Sequence, residues 1–253
     1  MSSLLDTLSG FVNERVKQIG TLVLTWLGII LPFFSAVRSF SPGGAAADFG
    51  LEPLVTPAPY AFIIWAPIYL GLLALAVYQA LPEQENDPQM TALRPWLALT
   101  GVLNAFWLTA VARGFVWLPV LIIFAMLAAA FGMRIALGSK QEGAVRWLGL
   151  AVSIYAGWLT LATIVNTSSA FLMSGWSEGA TFWALVMLLV GAGVGLTVRN
   201  GLRDPVYGAV FAWTFLAIAV EAWGDSILVV ILAFLLALLF LMTSLPPLLR
   251  YRR

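Results

Sequence analysis

Eight apolar runs, each about as long as a lipid bilayer is thick, follow one another along this chain. They cover residues 19–37, 58–81, 95–112, 115–137, 145–170, 180–198, 205–223 and 226–248. A helix needs roughly 20 predominantly apolar residues to cross the hydrocarbon core. Backbone that faces lipid must satisfy its own hydrogen bonds, so the runs are predicted to be helices. Turn chemistry or charge separates most of them, as in Ser41-Pro42-Gly43-Gly44, the acidic stretch from Pro82 to Pro88, Arg113-Gly114, and Asn200-Gly201 with Asp204-Pro205. The expected fold is an all-α, polytopic membrane bundle of eight helices. Composition agrees: 61% of the 253 residues are hydrophobic and 10% are charged, too few charges for the surface of a soluble domain.

The basic residues test the span count independently. If both termini and the even-numbered loops share one side, that side holds Arg15, Lys17, Arg94, Arg134, Lys140, Arg146, Arg199, Arg203, Arg250, Arg252 and Arg253. The other side holds Arg38 and Arg113, a split of eleven against two. The positive-inside rule makes the rich side cytoplasmic, with both termini there, and the expected location is the plasma (inner) membrane. Arg134, near the cytoplasmic end of its span, can snorkel and needs no function. Residues 1–18 carry Leu4, Leu8, Val12 and Val16 at four-residue steps, the pattern of a short amphipathic helix on the cytoplasmic interface. Lys17, the first run and Ala45-Ala46-Ala47 resemble a cleavable signal, but the run is long for one and the charge alternation needs it, so it is expected to stay as a span.

Whole classes of chemistry are excluded by what is missing. The chain has no cysteine and no histidine. Disulfides, thiolate nucleophiles, imidazole-ligated haem or zinc, and histidine relays therefore drop out. The net charge of +1 gives no argument for a nucleic-acid partner. No catalytic residue and no metal site are assigned, and no cofactor is required.

Three spans carry residues that contact with lipid does not call for. The second has Phe62, Trp65 and Tyr69 on one helical face, the third has Asn104 and Trp107, and the fifth has Tyr155, Trp158, Ala162 and Asn166. The second span runs inward, which puts Trp65 roughly 10 Å below the outer surface at 1.5 Å per residue. The third and fifth run outward, and Trp107 and Asn166 lie near their outer ends. The set therefore gathers in the outer half of the membrane. Above it lies the first outer loop, roughly residues 38–57, rich in Gly and Pro and long enough to act as a lid. Aromatic walls with a few polar groups are the usual form of a small-molecule pocket. Taken one at a time, each Asn also reads as an interhelical strut and each Trp as a belt residue. Trp26, Trp96, Trp117, Trp147, Trp176, Trp183, Trp213 and Trp223 read as belt or packing residues.

At these positions the sequence resembles the TspO/MBR family, the tryptophan-rich sensory proteins and translocator proteins. The family's second-helix pattern is echoed by Pro57 through Tyr60-Ala61-Phe62-Ile63-Ile64-Trp65-Ala66-Pro67-Ile68-Tyr69. Its third-helix Leu-Asn-x-x-Trp is matched by Leu103-Asn104-Ala105-Phe106-Trp107, and its fifth-helix pattern by Tyr155, Trp158, Ala162 and Asn166. The resemblance covers about residues 19–170. It implies a five-helix unit that binds tetrapyrroles, sterols or synthetic aromatic ligands under the first loop. The ligand site it implies is Trp65, Tyr69, Asn104, Trp107, Tyr155, Trp158, Ala162 and Asn166, with a porphyrin or haem-like ligand held without histidine. Ile154 stands where the family has Pro, and the family's Trp-Tyr pair is missing from the first loop. Residues 171–253 form a further segment of three helices with a basic tail, whose end, Leu249-Arg250-Tyr251-Arg252-Arg253, formally satisfies a cholesterol-recognition pattern.

Two features of that segment remain. Gly191, Gly193 and Gly195 contain a Gly-x-x-x-Gly spacing, read as close packing within the chain, with a homodimer face as the alternative. Glu221 and Asp225 bracket the outer end of the seventh span and are the candidates for an ion or proton pathway. The expected function is binding or sensing of a hydrophobic aromatic or tetrapyrrole-like molecule within the lipid bilayer. The alternatives are an ion-coupled transporter and a porphyrin-modifying enzyme.

Overall fold

The computed structural model describes residues 2–36, 52–138 and 143–250, with side chains from 13 to 30, 52 to 138 and 143 to 245. Most of the loop expected to act as a lid, Arg38, Lys140 and the arginines of the C-terminal tail lie outside the described side chains, as do Leu4, Leu8 and Val12. Among the described residues eight α-helices follow in order: α1 (Ser2–Ala36), α2 (Trp65–Tyr78), α3 (Pro88–Ala112), α4 (Leu118–Leu137), α5 (Gly143–Met173), α6 (Ala180–Leu202), α7 (Pro205–Glu221) and α8 (Ile227–Arg250). Strands are absent among the described residues. Six segments are long and apolar enough to cross a membrane: the one containing α2, then α3, α4, α5, α6 and α8. The seventh expected span, α7, is apolar but shorter, at 17 residues. The first span belongs to α1, which runs unbroken from Ser2 instead of beginning with a separate short helix.

The second span departs most from expectation. Residues 58–81 do not form one α-helix: Pro59–Ile64 is a 3-10 turn that leads into α2 at Trp65. Pro59 and Pro67 remove two amide donors from this stretch, and Pro57 stands just before it, so an unbroken α-helical ladder cannot run through it. Elsewhere the ends follow their chemistry. Asp87 caps α3 by accepting a 2.8 Å bond from the Met90 amide, and Asp204 caps α7 by accepting from Val206 and Tyr207. Each cap is followed by Pro at the first helical position, where a missing N–H costs nothing.

Five helices close a ring in the order α1–α2–α5–α4–α3, and α7 and α6 pack on α5 from outside, with α8 against both of them. Helix α5 is the hub. Two thirds (67%) of its most apolar stretch is buried, against 28–39% in the other five candidate spans. Polar groups staple one end of the ring. Arg94, buried on α3, donates to Glu14 (3.0 Å), to Gln79 (3.1 Å) and to the carbonyls of Gln84 and Glu85, while Gln18 and Gln79 each donate to the other's backbone carbonyl. The hydrogen bond from Lys17 holds the Glu14 carboxyl below its ordinary value.

Arg134 at the same end does not snorkel. Its Nε donates to Asp204 at 2.9 Å, and the same carboxylate oxygen accepts from Ser153 at 2.6 Å, joining α4, α5 and the start of α7. With Asp204 at 5% exposure, a partner within the protein replaces the water that snorkelling would seek.

Small residues set how closely the helices approach. A Cβ on Gly28 would collide with the Gly101 carbonyl, and one on Gly101 would sit 2.7 Å from Thr25 Cα, so α1 and α3 touch backbone to backbone. In α6, a Cβ on Gly191 would lie 2.8 Å from Ile164 and one on Gly195 would run into Phe211, whereas Gly193 faces open space. The Gly-x-x-x-Gly spacing thus serves packing within the chain. Gly101→Val should cost about 1–3 kcal/mol through overpacking. Gly193→Ala should change stability by no more than about 0.5 kcal/mol, the usual range for open positions. Thermal unfolding of the two variants in the same detergent checks the contrast.

Candidate functional site

The 3-10 turn and the first turn of α2 deliver Phe62, Trp65 and Tyr69 to the inside of the ring. Spacings of three and four residues keep them on one face. Trp65 is the centre of the group. Its ring stacks on Tyr69 at a centroid distance of 4.9 Å and stands 6.3 Å from Trp107 on α3. From α5 come Tyr155 at 6.3 Å and Trp158 at 6.2 Å, the latter edge-on, and Phe62 meets Trp158 edge-on at 5.5 Å. These are favourable aromatic separations, worth about 0.5–1.5 kcal/mol per pair beyond burial.

The two asparagines tie the rings to the scaffold. Asn104 Oδ1 accepts from the Tyr69 hydroxyl at 3.1 Å, and its Nδ2 donates to the Gly28 carbonyl at 3.0 Å across the α1–α3 contact. Asn166 Oδ1 accepts from Trp107 Nε1 at 3.3 Å, and its Nδ2 donates to the Ala162 carbonyl at 2.8 Å. All eight residues singled out from the sequence therefore share one connected cluster. Sequence reasoning did not find Gly28 and Thr100. Thr100 sits one turn before Asn104 on the same face and is 1% exposed, a spacing that was legible. Gly28 has no side chain to signal its part.

Three polar groups inside the cluster are left over. Trp158 is 3% exposed, and its Nε1 has no hydrogen-bond partner among the described residues. The Tyr155 hydroxyl lies near that of Thr100, yet neither oxygen reaches hydrogen-bond geometry. An unpaired buried donor costs about 1–3 kcal/mol. The surrounding walls are aromatic and carry no formal charge.

The other candidates lie elsewhere. Glu221 ends α7 and Asp225 follows it; both are exposed, and their carboxylates have no hydrogen-bond or ion-pair partner among the described residues. No group of three or more acidic residues that would hold a metal occurs among the described residues. A narrow apolar crevice opens on a different face of α5, lined by residues that include Val55, Leu161, Ile164, Met187 and Phe215.

The fold and this site define a class: a multi-pass helical membrane protein with an aromatic box enclosed by a five-helix ring. The model of the TSPO-like protein family matches residues 17–245, and the chain belongs to that family. The match extends past residue 170 and takes in α6, α7 and most of α8, a wider span than the motifs alone cover. Comparison with curated proteins and with solved structures gives no match.

Asn104→Ala removes the acceptor of Tyr69 and the strut to Gly28 together. It should destabilise the protein by about 1–2 kcal/mol, near the upper end for hydrogen bonds between membrane helices. Denaturant-dependent unfolding in micelles, followed by tryptophan emission, measures the loss.

Proposed function

We propose that this chain binds or senses a hydrophobic, aromatic or tetrapyrrole-like small molecule within the membrane, and that the aromatic box is its site. The observation that carries the reading is the buried, unpaired Trp158 Nε1 in the cluster centred on Trp65, with the Tyr155 and Thr100 hydroxyls of the same cluster also unpaired. A ligand with an aromatic plane and one acceptor, such as a carbonyl oxygen or a ring nitrogen, would satisfy both features. Family membership supports the same reading.

Asn104 and Asn166 act mainly to orient rings, since each already spends both ends of its amide on the protein. Carboxylates on a tetrapyrrole would have to lie outside the uncharged box. No cofactor is required by this function, and a porphyrin would be the ligand, held without histidine. In this reading residues 1–18 form an interfacial segment, 19–170 the binding unit and 171–253 an extension. Seven of the eight basic residues with described side chains sit at the end that holds Arg94 and Arg134. That end is assigned to the cytoplasm by the positive-inside rule, and the membrane to the plasma membrane. The open face at Gly193 is the candidate homodimer contact.

Protoporphyrin IX added to the detergent-solubilised protein should quench tryptophan emission saturably in the micromolar range, after correction against free tryptophan. The Trp65→Ala, Trp158→Ala double variant should weaken binding at least about tenfold, the equivalent of 1.4 kcal/mol. Quenching that does not saturate, or that ignores the double substitution, would overturn the assignment.

A further inference from the structure

The ring distances limit how a ligand can be received. A flat molecule slipped between two rings needs about 7 Å between their planes, twice the ~3.5 Å contact distance. Trp65 and Tyr69 are stacked at 4.9 Å, so one of them must move. Tyr69 is tied to Asn104 and lies inside α2. Trp65 stands at the junction between the 3-10 turn and α2, and Phe62 lies on the turn itself. Short 3-10 turns have poorer hydrogen-bond geometry than α-helices and are where a helix gives most easily.

What holds this turn from outside is α7. The Ala58 amide donates to the Ala217 carbonyl at 3.1 Å, and the indole Nε1 of Trp213 donates to the Ala61 carbonyl at 3.3 Å. Tyr60 meets the Trp213 ring edge-on at 5.5 Å. Leading into the turn, Val55, Thr56, Pro57 and Ala58 are all buried, and Val55 reaches the space lined by Phe215 and Ile218 of α7. The turn that carries one wall of the box is thus fastened to a helix that contributes no ring to the box.

Resting on the proposed ligand site, we infer that α7 is a clamp on the wall of the box and that Trp213 is a positioning residue which sets how readily the box opens. The C-terminal helices thereby take a mechanical part in the site. Helix α5 presents rings to the box on one face, and α7, packed on α5, holds the opposing turn. Trp213 never touches the ligand. It acts through Ala61 on Phe62 and Trp65.

Trp213→Phe removes the indole N–H and keeps an aromatic ring. Trp223→Phe is the matched control, because Trp223 is 75% exposed and lies beyond the end of α7. In the full chain in lipid nanodiscs, amide hydrogen exchange over residues 58–64 should rise roughly fivefold in Trp213→Phe, the scale of one hydrogen bond. The association rate of protoporphyrin IX, followed by stopped-flow quenching, should rise by a similar factor. Exchange elsewhere, melting temperature and both readouts in Trp223→Phe should match wild type. Unchanged exchange over 58–64 would overturn the clamp. Faster exchange with an unchanged association rate would overturn the gating role and leave the binding site standing. An absence of saturable binding to wild type would overturn the site reading and the gating with it, while the exchange result would still decide the clamp.

Discussion

Within the hydrocarbon layer a polar group has no water to turn to, and the architecture of this chain follows from how each one is paired. Backbone groups pair along the helices. Side chains that cannot do so reach across to carbonyls freed at helix ends or at close helix contacts. Asn104 takes the Gly28 carbonyl where α1 and α3 touch, Gln18 and Gln79 exchange bonds with each other's backbone, and Arg94 spans α1, α2 and the loop between α2 and α3. Each of these links fixes a helix pair at one register. Trp158 Nε1 and the Tyr155 hydroxyl are among the few buried side-chain groups left without a partner among the described residues.

Helix α5 makes the two halves of the molecule one object. One face carries Tyr155, Trp158, Ala162 and Asn166 toward α2 and α3. Another carries Leu161 and Ile164 toward α6 and α7, where Gly191 allows the close approach. Adding α7 fastens the proline-rich turn before α2, the part of the wall least able to hold itself.

Much of this was legible in the chain. Runs of about 20 apolar residues announce spans because bilayer thickness is fixed. Membership of the aromatic cluster was legible too, since depth and helical phase follow from counting residues along a span. The partner of Arg134 could not be read from sequence, because an arginine at a helix end looks the same whether it meets water or Asp204, 70 residues away. Trp213 reads only as a belt or packing residue for a similar reason: its partner, the Ala61 carbonyl, is backbone and has no sequence signature. The break at 59–64 was written in Pro57, Pro59 and Pro67, but hydropathy counts those positions as ordinary apolar residues.

The sequence by itself determined the class of fold, the number and order of helices, the residues of the aromatic cluster and the chemistry the chain cannot perform. Those follow from local properties: hydropathy, periodicity and side-chain inventory. Only the tertiary structure decided which helices are neighbours and that Asn104 and Asn166 are struts. It also decided that Trp158 keeps an unpaired N–H and that α7 grips the turn before α2. Those facts depend on pairing between segments far apart in the chain, and pairing is set by close contact among helices that hydropathy alone cannot tell apart.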